Sequence, residues 1–162
     1  MVHARLVLVH VPTAEQALHQ LVRALKPGGW LLVEDYDPRF LDPTFPTADR
    51  GAAAVFARAY TALVELLDLH GNPPNWGRGL YQHLCSAGLV DVEMEGYLVV
   101  GTGGLDRAEA ERANFEQVRA EAIERGLLSQ QDIDEVLRLL TDPNFAFSSP
   151  VMFSAWGRRP AR

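Results

Sequence analysis

Little in this chain could hold a metal, cross a bilayer or draw in nucleic acid. Cys85 is its only cysteine. An intrachain disulfide and a thiolate zinc site are therefore excluded, and a reducing, cytoplasmic setting is expected. His3, His19, His70 and His83 form no pair with metal-ligand spacing on one element, so no metal is expected. No apolar run reaches the roughly 18 residues of a membrane span, and the first residues lack the apolar stretch of a signal peptide. Lys26 is the only lysine, and 15 basic against 21 acidic residues leave a formal charge of −6. That balance gives no electrostatic reason to bind nucleic acid or an anionic membrane. Enzyme signatures are missing too. There is no GxSxG nucleophile elbow, no GxxxxGK[ST] phosphate loop and no GxGxxG dinucleotide fingerprint.

What is present fits one ordinary core. At 162 residues, 48% apolar and 22% charged, the chain is expected to form a single domain over 1–162. The most informative stretch is LKPGGWLLVED, Leu25–Asp35. Lys26 suits the negative end of a helix, and Pro27 cannot continue that helix. Gly28–Gly29 supply the positive φ of a tight turn. Trp30–Val33 is a continuous apolar run, as in a strand covered on both faces. It delivers Glu34, Asp35 and Tyr36 to a carboxyl end, where ligands gather in open α/β sheets.

The flanking segments complete a pattern. Val2–Leu8 reads as a buried strand. Thr13 and Gln16 have capping-box spacing, and Leu18, Leu21, Val22 and Leu25 form one helical stripe. Strand, helix, turn and strand make a βαβ unit with parallel strands. A Pro- and Asp-rich loop, Asp35–Pro46, leads to an alanine-rich helix capped by Thr47 and ending near Leu69. A second stiff loop holds Trp76, and a short helix over Arg78–Ala87 stops at Gly88. Val90, Val92 and Met94 alternate with acids, giving a half-exposed strand taken as far as Val100. Helices are expected over Asp106–Arg125 and, capped by Ser129, to Leu140. A last strand covers Val151–Trp156.

In this order and spacing the chain resembles the second half of a class I S-adenosylmethionine-dependent methyltransferase. VHARLVLVHVP (Val2–Pro12), LKPGGWLLVED and CSAGLVDVE (Cys85–Glu93) carry the resemblance, and FSAWGRRP (Phe153–Pro160) agrees with the last strand. It implies an α/β fold with a partial Rossmann-like sheet. Val2–Leu8, Trp30–Val33, Val90–Val100 and Val151–Trp156 would be the family's strands four, five, six and seven. Their spatial order would be four, five, seven, six, with the last strand antiparallel. Helices would cover both faces, and Asp106–Leu140 would be a two-helix insertion or lid over a substrate. The implied cofactor is S-adenosylmethionine, with Ala4, Arg5 and Leu6 matching positions that flank its methionine moiety. The family's glycine-rich loop after strand one and acidic residue after strand two have no counterpart. Gly101–Gly104 follows the wrong strand. The expectation is a C-terminal, substrate-binding half that binds cofactor weakly or not at all alone.

Methyl transfer needs alignment more than a catalytic side chain, so a missing triad does not count against it. His10, beyond the first strand, could deprotonate a small-molecule acceptor, or simply pack at the helix entry. Asp35 could orient substrate or act as a base, or hold a turn. Tyr36, Phe40 and Trp76 could line an apolar pocket or anchor their own loops. Cys85, among the apolar positions of a short helix, is expected buried and inert. Arg158–Arg159 read as a solvated chain end, and the charges of Asp106–Arg125 as a solvent-facing helix side. A competing reading is a non-catalytic remnant that acts as an association module. It would be a homodimer or larger, joined through an exposed strand edge or apolar faces.

Overall fold

Alternation sets the central strand. From Leu31 every second side chain points into a core: Leu31, Val33, Asp35 and Asp37 are buried, while Leu32, Glu34 and Tyr36 are half-buried. The computed structural model describes residues 1–39, 49–73 and 75–161. Its strands are β1 (Val2–Arg5), β2 (Trp30–Asp37), β3 (Val90–Tyr97), β4 (Val100–Thr102), β5 (Ala146–Ser148) and β6 (Val151–Arg158). Its helices are α1 (Ala14–Ala24), α2 (Arg50–Leu69), α3 (Trp76–Ser86), α4 (Asp106–Glu124) and α5 (Gln130–Leu139). The chain divides into two compact units.

The first unit is Met1–Phe40, Asp68–Tyr97 and Pro150–Arg162. It holds a four-stranded sheet in the order β1-β2-β6-β3. β1 runs parallel to β2, with Val2 beside Leu31 and Ala4 beside Val33. β6 lies between β2 and β3, antiparallel to both. The order and directions expected of the four segments are thus found. α1 and α3 pack on one face, where Leu18, Leu80 and Leu84 share a core with Leu31, Val33 and Ala155.

Several local expectations are corrected. The first strand ends at Arg5, not Leu8, because Leu6 turns left-handed (φ 54°) and Leu8–His10 form a 3₁₀ turn. β2 runs on to Asp37, since β6 pairs with it along its whole length. Of the pair Gly28–Gly29 only Gly28 has positive φ (76°); Gly29 is needed because a Cβ there would stand 2.9 Å from the Lys26 carbonyl oxygen. Thr13 precedes α1 but makes no side-chain cap. Arg158 pairs with Asp91 at 2.6 Å, and the Arg159 guanidinium donates to the carbonyls of Arg23 and Leu25. The arginine pair therefore closes the end of α1 and the edge of β3 rather than lying loose in solvent. Cys85 is exposed. The inward stripe of α3 is Trp76, Leu80 and Leu84, and Cys85 sits one step past it.

The second unit is Leu41–Leu67 and Leu98–Ser149. Val100 belongs here: it opens β4, which pairs with β5 in a separate two-stranded antiparallel sheet, so the strand expected over Val90–Val100 is two strands. Phe56 is fully buried, with the rings of Phe115, Phe145 and Phe147 at centroid distances of 6.2, 5.4 and 5.2 Å. Ser129 caps α5 in a reciprocal box with Asp132, as its spacing indicates. Most charges of α4 pair along the exposed side, as Arg125 does with Glu121 at 2.7 Å. Glu111 is the exception. It is buried and accepts from the Tyr60 hydroxyl at 2.7 Å. Thr47 lies outside the described residues. Among the described residues no helix is long and apolar enough to cross a membrane.

Candidate active site at the carboxyl ends of the parallel strands

β1 ends beside Glu34 of β2, and Asp35, the next residue of β2, ties down the turn that follows β1. Its side chain is fully buried. Oδ1 accepts from the Val7 amide at 3.1 Å, and Oδ2 from the Trp76 indole Nε1 at 3.0 Å. One buried group therefore takes the amide at the entry to the 3₁₀ turn and anchors it to the Trp76 indole. Burial pushes the Asp35 carboxyl up to about 6, against the pull of the Trp76 and backbone hydrogen bonds.

The turn is fixed from other directions as well. Leu6 N donates to Glu34 O at 2.8 Å, extending the parallel ladder by one step before the chain turns. His10 N donates to Val7 O at 3.1 Å. Asn72 Nδ2 donates to Val9 O at 2.8 Å. A left-handed leucine costs about 1–2 kcal/mol, which these bonds offset. The result presents Leu6 and Val7, 39% and 50% exposed, and the exposed His10 beside the end of β2.

A second buried acid stands two residues on. Asp37 forms an ion pair with Arg78 Nε and accepts from the Arg39 amide at 3.0 Å. Arg39 pairs in turn with Asp68. Gly77 lets α3 start this close to β2: a Cβ there would stand 2.8 Å from Tyr36 C and O and 2.9 Å from Asp37 N. Trp76, buried beneath Asp35, stacks on His83 at 4.4 Å. Of the two roles open to Trp76, loop anchor or pocket wall, these contacts are those of the anchor.

The other expected residues are placed as follows. Ala4 is buried in β1, paired with Val33. Arg5 is exposed and pairs with Glu34 at 3.3 Å. Burial pushes the Glu34 carboxyl up, but hydrogen bonds from His3 and Ser154 and the charge of Arg5 bring it below its ordinary value. Tyr36 is half-buried on the face of β2 that also carries Glu34. Phe40 lies outside the described residues. The structure thus brings Leu6, His10, Asp35 and Tyr36 to one end of the sheet. Asp37, Asn72 and Arg78 were missed from sequence. The available signal was the period of two, which, carried past Val33, puts Asp35 and Asp37 on the buried face and demands partners for both.

No protein-family model matches the chain. It is 33% identical over 84 residues to the methyltransferase str2 of Strobilurus tenacellus, covering 52% of this chain and 29% of that protein. It is 34% identical over 80 residues to the methyltransferase str3 of the same organism, covering 49% of this chain and 27% of that protein. The matched segments thus span less than a third of either relative. Among solved structures, a putative methyltransferase of Bacillus halodurans C-125 superposes with a TM-score of 0.51 at 17% identity, over 98% of this chain and 68% of that one. The chain shares its α/β fold with that putative methyltransferase.

Proposed function

We propose that the chain is the substrate-side part of an S-adenosylmethionine-dependent methyltransferase that acts on a small organic molecule in the cytoplasm. The observation that carries this reading is the Asp35 clamp, which fixes the turn after β1 against the end of β2. The likeness to the Strobilurus methyltransferases supports it. Methyl transfer from a sulfonium is an in-line displacement whose reactivity the cofactor supplies. The protein's share is alignment and exclusion of water, worth roughly 7–11 kcal/mol. A rigid turn suits that share.

The residues present fit one flank of the cofactor. The Leu6 and Val7 amides are taken by Glu34 and Asp35, so the turn offers apolar side chains rather than free donors. Leu6 and Val7 would lie against the methionine portion, with Ala4 and Arg5 behind them. Tyr36 would bear on the acceptor, and His10 would take its proton. Asp35 acts through the turn as a positioning residue, and Trp76 acts through Asp35. The sequence contains no glycine-rich phosphate-type loop to grip a nucleoside. Cofactor affinity of this chain alone is therefore weak. A −6 charge and an apolar turn support a small organic acceptor over nucleic acid.

The second reading, a non-catalytic association module, is favoured by the outer edge of β1, which pairs with no described strand. Calorimetry with S-adenosylmethionine tests the first reading. Heat that grows without saturating up to millimolar cofactor is expected. A micromolar dissociation constant would overturn the statement that the grip is incomplete.

A further inference from the structure

The sheet of the first unit packs one face on α1 and α3. The side chains of its other face take no part in that core. Two register rows cross this second face. One runs His3, Leu32, Trp156, Glu93, and the other Arg5, Glu34, Ser154, Glu95. Each row begins with a basic side chain on edge strand β1 and ends with an acid on edge strand β3. The edges are open to solvent: the His3 and Arg5 side chains are 42% and 50% exposed, and Glu93 and Glu95 are exposed. Between them Trp30 is 40% exposed, and Leu32 and Trp156 are half-buried. The middle charge is already matched. Glu34 is bonded to His3 at 2.7 Å and to Ser154 at 3.0 Å, and pairs with Arg5 at 3.3 Å. Covering Glu34 would therefore leave no bare charge.

We propose that this face forms a homodimer by stacking on the same face of a second copy, about a two-fold axis parallel to the strands. Such a rotation reverses the strand order and keeps each residue's height along the strands. β1 then lies over the partner's β3, and β2 over the partner's β6, with the sheets about 10 Å apart. Arg5 meets Glu95 of the partner subunit, and His3 meets Glu93 of the partner subunit. Leu32 packs on Trp156 of the partner subunit. Trp30 lies under Arg158 of the partner subunit, a cation–π arrangement. Every contact occurs twice, as a closed two-fold interface requires. An in-plane axis perpendicular to the strands would set basic edge on basic edge and acidic on acidic, so charge selects one orientation.

Light scattering of the full chain over a wide concentration range, with charge reversals, tests it. The wild type is expected to dimerise. Glu95→Arg alone and Arg5→Glu alone should each weaken association by about tenfold or more. An equimolar mixture of the two variants should recover a dimer of about wild-type affinity, since one Arg5–Glu95 pair is then kept and the other is restored in opposite sense. Recovery also shows that both variants fold, which circular dichroism checks separately. A monomer throughout, a dimer indifferent to both reversals, or a mixture no stronger than its parts would overturn the proposal. Pairing through the outer edge of β1 would be one such indifferent dimer.

Discussion

Asp35 shows how one side chain can be read from its surroundings. A carboxylate at the end of a strand is read most readily as a base. Here the group is fully buried, and both oxygens already accept hydrogen bonds from the Val7 amide and the Trp76 indole. Its folded-state pKa of about 6 lies above the ordinary 3.8. The folded protein therefore holds that proton more tightly than the unfolded chain. The stability contribution is full below pH 3.8 and is lost as pH rises through about 6. The loss amounts to up to about 3 kcal/mol. In Asp35→Asn this slope should vanish, so thermal melts of the two proteins at pH 4 to 7 should converge or cross as pH rises. Parallel curves would contradict the assignment. Cys85 makes a simpler case. Being exposed on α3, it should react with a thiol reagent in the native state without prior unfolding. A thiol reactive only after denaturation would contradict its placement.

At the scale of elements, the sequence was legible where local chemistry decides. Gly88 ends α3, Ser129 caps α5, and the Leu25–Val33 segment gives the end of α1 and the start of β2. It was not legible where a distant partner decides. β1 stops at Arg5 because a carboxylate on β2 captures the Val7 amide once Leu6 has turned left-handed, a partner that no window around Leu6 contains. β2 continues through Glu34–Asp37 because β6, more than a hundred residues later, pairs with it. Thr13 and Ser129 have similar capping signals, yet only Ser129 closes its box. The junction of α3 and β2 depends on Gly77, which touches the backbone of Tyr36 and Asp37. Gly77→Ala should force these elements apart and strain the Asp37–Arg78 pair. The expected cost is about 1–3 kcal/mol, read as a fall in melting temperature of about 2–4 °C per kcal/mol. An unchanged melting temperature would contradict the close approach.

At the scale of the whole molecule, four segments resembling part of a known sheet take the expected order and directions, with β6 inserted between β2 and β3. What sequence could not supply was the use of each end and face. The carboxyl ends of β1 and β2 form a fixed turn, and one sheet face carries opposite charges on its two edges. The central functional claim is that a nucleoside sulfonium or its demethylated product meets this chain at the turn after β1. Amide chemical shifts recorded during titration with S-adenosylhomocysteine test this most directly. Shifts that grow almost linearly to millimolar ligand and are confined to Leu6–His10 and Glu34–Asp37 are expected. Shifts centred on Gly101–Gly104, or none at the turn, would contradict it.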